Sequence, residues 1–290
     1  MSTQIFFQTI VNGLFTGGIY ALVAVGLTLI YGVMLITNFA HGEFLMLGIY
    51  VAFWAYTLFG IDPYLAIPIA ALLVFALGAL IQRGLVQRVL DAHPLNQIVL
   101  LVGVSTLIVG LVQVFFGAEP RSIHVSYETQ VWAALGLRFS IPRTVAFLAS
   151  LIISTGLYVF LQFTRVGKAI RAVSQSRTAA LLMGIDIKAI YMLTFGIGTA
   201  ITAIGGVLLA PNNKMIPTMG SSYSVSAFVV VVLGTMGNFV GALLGGLIIG
   251  VVEAFAGFFL GGDVKIVASM LIFILILLFK PSGLFGRKRA

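Results

Sequence analysis

Three ionisable side chains stand inside otherwise apolar sequence: His41 and Glu43 in LITNFAHGEFLMLGIY, and Glu253 in GLIIGVVEAFAGFFL. An imidazole and a carboxylate two residues apart invite three readings: a metal site, a proton relay, or the lining of a polar pathway. The metal reading fails on spacing, because HGEFLM lacks the H-E-x-x-H pattern that sets two imidazoles on one helix face. There is also no cysteine to supply a thiolate. No serine sits in a G-x-S-x-G elbow, and no G-x-x-x-x-G-K-[ST] phosphate loop occurs, so neither acyl transfer nor an ATP site is written in this chain. No cofactor is implied. A charged residue at the centre of a membrane helix costs about 2.5 to 3.5 kcal/mol on insertion scales, which makes Asn38, His41, Gly42 and Glu43 candidates for a translocation pathway. A fold-holding role stays open beside it: Asn38 is placed as a helix N-cap, with Glu43 in the first turns, where a carboxylate suits the helix dipole. Glu253 is open between an interfacial position and a buried polar role. The GTMGN stretch, with Gly234, Gly237 and Asn238, is a second candidate for the pathway.

The other group of residues with a chemical task is basic. Residues 164–188 hold Arg165, Lys168, Arg171, Arg177 and Lys188, five of the sixteen basic residues, against the single acid Asp186. Lys and Arg beside membrane spans are retained on the cytoplasmic side. Within the stretch, Ala169, Ile170, Val173, Ala180 and Met183 fall roughly on one side, which predicts a short amphipathic helix. Such a helix carried by a membrane domain has a partner to dock on. In this reading the basic residues steer the dock and Ala169, Val173, Ala180 and Met183 supply its apolar contact.

The elements that position these residues follow from composition. Of 290 residues 60% are hydrophobic and only 8% charged, far from the roughly 25% charged residues of soluble domains. Runs of about 20 apolar residues recur, so helices rather than a barrel satisfy the backbone inside lipid. The net charge of +8 lies in short loops and the tail, without interleaved aromatics, and reads as topology rather than a nucleic-acid surface. The opening MSTQIFFQTI has no basic n-region, so the first span is expected to stay in the membrane.

Residues 5–36 are too long for one straight span and must tilt, break or begin outside the bilayer. Gly13 and Gly17 form a small-xxx-small pair for close helix approach. A span over 44–59 ends at an external GIDP turn. The next, 64–81, reaches an inner loop with Arg83, Arg88 and a solvated His93. Span 98–116 leads to an external segment, 117–143, suited to short strands or a lid, and span 144–163 returns to the basic stretch. Residues 189–210 go out along a small-residue face. Residues 225–233 cover only about half a bilayer at 1.5 Å per residue, so they predict a broken or re-entrant element, tolerated where protein surrounds it. In 240–260 the pairs Gly241 and Gly245, Gly246 and Gly250, and Gly257 and Gly261 suggest close packing. A last span, 264–279, ends in KPSGLFGRKRA, whose basic residues place the C-terminus inside. The result is an all-α polytopic domain over residues 1–290 with about eight spans plus broken segments. Parity stays open, because an even number of crossings must follow Lys188. Asn38–Phe39 and Asn238–Phe239 open similar stretches, as structural repeats would, but two matched residues do not establish a repeat.

Three segments taken together carry a resemblance: TLIYGVMLITNFAHGEFLMLGIY, then VGKAIRAVSQSRTAALLMGIDIKAIYMLTFGIGTAITAIGGVLLA, and the closing LLFKPSGLFGR. In this order, over nearly the whole chain, they resemble the permeases of branched-chain amino acid ABC importers, the shorter of two permease types. The resemblance implies a type II importer fold in a bacterial inner membrane. It also implies two cytoplasmic ABC ATPases, a second related permease and a periplasmic binding protein as partners, with a small solute as cargo. The positions matching the family's ATPase-coupling segment are Gly167, Lys168, Ala169, Arg171, Ala172, Ala179, Ala180, Gly184 and Ile185. GTMGN departs from the Gly-Gly-x-Gly run common there. A pathway of small apolar side chains suits a neutral or zwitterionic solute; leucine, isoleucine and valine are the family-weighted expectation, and urea, short amides and small carboxylates are the alternatives. A gradient-driven transporter using His41, Glu43 and Glu253 is the competing class.

Overall fold

The computed structural model describes residues 3–134, 136–280 and 282–286. Arg287, Lys288 and Arg289, which carry most of the tail's charge, lie outside the described residues. With no proline before Pro63 to interrupt it, the first apolar run forms one helix, α1 (Thr3–Met34). Its 32 residues reach about 48 Å at 1.5 Å per residue. Leu35, at φ +56°, turns the chain out of it.

The chain continues through α2 (His41–Phe59), α3 (Ile67–Ile81) with a π-helical turn at Gln82–Val86 and the short α4 (Gln87–Val89), and α5 (Pro94–Phe116). Gly60, at φ +65°, closes α2 by donating its N–H to Tyr56. The expected strands are present as an antiparallel hairpin, β1 (Val131–Ala134) with β2 (Leu137–Ser140). Then come α6 (Ile141–Phe163), α7 (Arg165–Gln175), α8 (Arg177–Leu182), α9 (Ile187–Leu209), α10 (Met219–Gly234), α11 (Phe239–Leu260) and α12 (Lys265–Phe279). Seven helices among the described residues are long and apolar enough to cross a membrane, and α10 and α12 are shorter apolar helices.

Two faces are fixed by polar contacts. On the hairpin face, Gln8 of α1 exchanges hydrogen bonds with the Arg138 backbone at 2.8 and 2.9 Å, Tyr127 donates to Asp62 beyond α2, and Arg121 bridges Met215. On the opposite, basic face, Arg177 meets Asp91 ahead of α5, and Leu284 donates to the Leu233 carbonyl at the end of α10. Each helix can then be given a direction. The set α1, α2, α3 and α5 runs alternately from the hairpin face, and the set α9, α10, α11 and α12 runs in the same order from the basic face. The two sets are inverted repeats, and they interlock: α1 packs on α11 as α9 packs on α3. The parity question closes here, because residues 211–218 and α10 together return the chain to the basic face and make a full crossing.

The expectation of a nine-residue half-span at 225–233 is corrected to the 16-residue α10. Its added residues are helical despite three serines, of which Ser224 is buried and accepts from the Gly42 N–H. The core belongs to α1, α2, α9 and α10; Phe44 and Phe195 meet edge to face there at 6.1 Å. Helices α3, α5 and α12 leave large apolar side chains exposed, as a lipid-facing or partner-facing surface does. Gly13 and Gly17 do lie against α11, where Gly250 and Gly246 leave room for backbone contact. Gly257 and Gly261 do not: neither is crowded, and Gly261, at φ +97°, ends α11.

Candidate functional site

The first candidate region lies where the two inverted repeats meet. Residues 35–40 fold back along α1, so α2 begins well inside the bundle. Asn38 is not its N-cap: Ala40 holds that position, and the Asn38 side chain accepts from the Ala40 N–H at 3.1 Å in the turn before the helix. The imidazole of His41 is fully buried, with Nε2 3.0 Å from the Val23 carbonyl of α1 and 2.8 Å from Thr202 Oγ1 of α9. A carbonyl only accepts, so the proton sits on Nε2. Residues 211–218 bring α10 in from the hairpin face to meet it. Gly42 and Gly220 touch through their backbones, and the Gly42 N–H donates to Ser224 Oγ at 2.7 Å. Two helices of opposite direction therefore start at one point, and a side chain at Gly42 or Gly220 would displace the other strand of the junction.

Glu43 projects from this junction. Its Oε1 accepts from Ser105 of α5 at 3.1 Å, while Oε2 is buried with no partner beside Gly220. Glu253 lies in the second repeat, on α11. It is buried, which settles its open position, and it accepts from Tyr20 at 2.7 Å and from Ser269 of α12. Gly234, Gly237 and Asn238 are not beside these carboxylates. Asn238 caps α11 by accepting from Gly241, and Gly237 faces Gly32 at the basic end of α1. Among the described residues no three His, Cys, Asp or Glu groups converge as a metal site.

The basic stretch forms two short helices rather than one. Thr164 caps α7 by accepting from Gly167, and Ser176 caps α8 by accepting from Ala179. Gly167 lies against the backbone of Phe160 and Leu161, which lets α7 fold back on α6; Gly184, at φ +77°, turns the chain into α9. The expected docking face is corrected here. Ile170, Val173 and Ala180 are buried in the chain's own core, and Ala169 and Ala172 are half-buried. Arg171 is held by Gln162, and Arg177 by Asp91 and the Tyr191 ring. Among the residues left outward are Lys168, Ala179, Gly184 and a tip that sequence reasoning missed except for Met183: Leu181, Leu182 and Met183, exposed at 59%, 83% and 81%. The one-sided spacing in the sequence marked an apolar stripe correctly but assigned it to a partner, whereas most of the stripe is how the two helices attach to the bundle.

Inverted helix sets, helices that start inside the bundle with buried carboxylates beside them, and an amphipathic pair with an exposed apolar tip define a polytopic membrane permease. The comparisons narrow this. Residues 9–279 match the family described as branched-chain amino acid transport system / permease component. The chain belongs to that family. It is 33% identical to the high-affinity branched-chain amino acid transport system permease protein BraD of Pseudomonas aeruginosa, over 97% of this chain and 96% of that one. LivH of Escherichia coli K12, a permease protein of the same description, shows the same identity and coverage. The ribose import permease protein RbsC of Bacillus subtilis is 26% identical over 84% of this chain and 72% of its own length. In fold, the chain superposes on PsaBC from Streptococcus pneumoniae in complex with Fab with a TM-score of 0.53, at 11% identity, covering 96% of this chain and 94% of that one.

Proposed function

We propose that the chain is a membrane-spanning subunit of an ATP-driven importer for branched-chain amino acids. One observation carries the reading: within a chain of this family, Leu181, Leu182 and Met183 project from the helix pair on the basic face, whose Ile170, Val173 and Ala180 are buried in the bundle. Isolated exposed side chains need no explanation, but three consecutive large ones at the end of α8 form a compact contact for another protein. With no phosphate loop in the sequence, that protein is an ABC ATPase. Two ATPases, a second related permease and a periplasmic binding protein complete the assembly, and the basic face lies in the cytoplasm of a bacterial inner membrane.

The mechanism follows from the anchors. Arg171 on Gln162 and Arg177 on Asp91 tie α7 and α8 to the ends of α6 and α5. Displacement of the tip by ATP-driven approach of two ATPases is thus transmitted to whole helices as a rigid-body motion. The junction of α2 and α10 is where helices from both repeats can separate, and Glu43 and His41 line that separation. Branched-chain amino acids, rather than sugars or short amides, are favoured by the higher identity and fuller coverage of the amino-acid permeases among the relatives.

The test is affinity purification in mild detergent of the tagged wild type and of Leu182→Glu with Met183→Glu, followed by uptake in proteoliposomes. ATPases that accompany the wild type and are lost from the variant, with leucine uptake that requires ATP, support the proposal. A chain that purifies alone and accumulates solute on a proton or sodium gradient overturns it.

A further inference from the structure

A cavity of about 200 Å³ opens on the hairpin face between α1, α6, α9, α10 and α12. It suits one small solute, being below the roughly 300–1,000 Å³ of sites for drug-sized ligands. Phe15, Ile19 and Leu208 give it an apolar floor, while Arg143, Lys265 and Asn212 stand among its polar lining. Neither Arg143 nor Lys265 makes a side-chain hydrogen bond or an ion pair with any other described residue.

Their placement is electrostatically unfavourable in three ways. Arg143 lies in the first turn of α6 and Lys265 opens α12, where the helix dipole opposes a cation. Both stand on the face away from the basic stretch, against the usual retention of cations on the cytoplasmic side. Both border one small cavity whose described lining holds no acid; the buried Glu253 lies behind it, bonded to Tyr20 and Ser269 and to neither cation. An anion in the cavity relieves the first and the third. The apolar floor beneath the cations selects an anion that carries a short hydrocarbon group, rather than an inorganic ion or a sugar.

We infer that this cavity receives the carboxylate and apolar side chain of a small amino acid as it enters the permease from the hairpin side, with Arg143 and Lys265 on the carboxylate and Phe15, Ile19 and Leu208 around the side chain. This rests on the amino-acid reading proposed above and adds to it a specificity site within the membrane subunit.

The experiment uses the assembled transporter in nanodiscs without its binding protein and measures direct binding of radiolabelled L-leucine. Isovalerate, which keeps the carboxylate, and leucinamide, which lacks it, serve as competitors. Arg143→Gln and Lys265→Gln are each expected to weaken leucine binding about tenfold, the loss of one charge-assisted hydrogen bond. Arg138→Gln, the same charge change on the hairpin, leaves it unchanged. Isovalerate competes and leucinamide does not. Unaltered binding in both cavity variants, equal competition by leucinamide, or no leucine binding by a complex that still imports leucine overturns the assignment alone. A wild-type complex, supplied with its binding protein and ATP, that imports no amino acid overturns the amino-acid reading and the cavity assignment with it.

Discussion

Ser105 on α5 donates to the buried carboxylate of Glu43 at 3.1 Å, and Ser269 on α12 donates to the buried carboxylate of Glu253. Helices α5 and α12 occupy matching places in the two inverted repeats, and both leave large apolar side chains exposed. Each outer helix is thus tethered to the core by a hydroxyl on a carboxylate that water does not reach. Hydrogen bonds to charged groups contribute about 1.5–3 kcal/mol, and a buried acceptor left alone loses more than the bond.

From this pairing, Ser105→Ala is expected to lower the stability of the detergent-solubilised chain by about 1.5–3 kcal/mol, since it leaves Glu43 with no partner on either oxygen. Ser269→Ala costs less, because Tyr20 still donates to Glu253. Thermal unfolding followed by fluorescence ranks the two; equal losses, or none for Ser105→Ala, would show that the tether does not hold α5.

The junction of the repeats makes a sharper demand on side-chain size. Gly42→Ala places a methyl against the Gly220 carbonyl, and overpacking of this kind costs typically 1–3 kcal/mol. Gly156→Ala on α6 meets nothing within 4 Å and gains about 1 kcal/mol from helix propensity. Opposite shifts in melting temperature are the expected result, and a neutral Gly42→Ala would mean that α2 and α10 do not touch as described.

Docking and folding separate in the α7–α8 pair. Ala180→Glu forces a carboxylate into a site only 2% exposed, where an unpaired charge costs at least about 3 kcal/mol, so it reduces the yield of folded chain. Leu182→Glu lies in the exposed tip and leaves the stability within about 0.5 kcal/mol of wild type while ATPase association falls. Monodispersity on size exclusion and ATPase recovery, measured on the same preparations, distinguish a lost fold from a lost dock.

How far the sequence foretold this depends on what each residue's neighbours are. Apolar run length placed most of the spans. The inverted repeat did not follow, and the one clue to it pointed the wrong way. Asn38 precedes α2 and Asn238 caps α11, yet the counterpart of α2 is α10. Inverted repeats share direction and packing, not residues, because each position faces a different environment in the two halves. Ser105, Ser269 and Tyr20 were illegible for a related reason: a hydroxyl in an apolar run looks the same whether it bonds its own helix or a carboxylate on another one. The basic stretch shows the converse error, where Val173 and Ala180 have the spacing of a docking face and the burial of a core.

The hairpin face offers a pH test with a defined sign. Tyr127 stacks on Tyr64 at 5.7 Å and donates to Asp62 at 2.7 Å, which fastens residues 117–143 to the turn after α2. Burial first, and then the hydrogen bond and charge of Asp62, push the Tyr127 hydroxyl well above its ordinary value. A group whose pKa is raised on folding contributes stability that is complete below its unfolded value, about 10 for tyrosine, and is lost as pH rises beyond it. Attachment of the segment is therefore expected to be independent of this group from pH 6 to 9 and to weaken above about pH 10. Tyr127→Phe removes the bond at every pH, so it raises deuterium uptake across 117–143 at neutral pH and abolishes this group's share of the alkaline change. Uptake that is equal in the two proteins at pH 7 would mean that the strands and the Arg121–Met215 bridge hold the segment without the tyrosine.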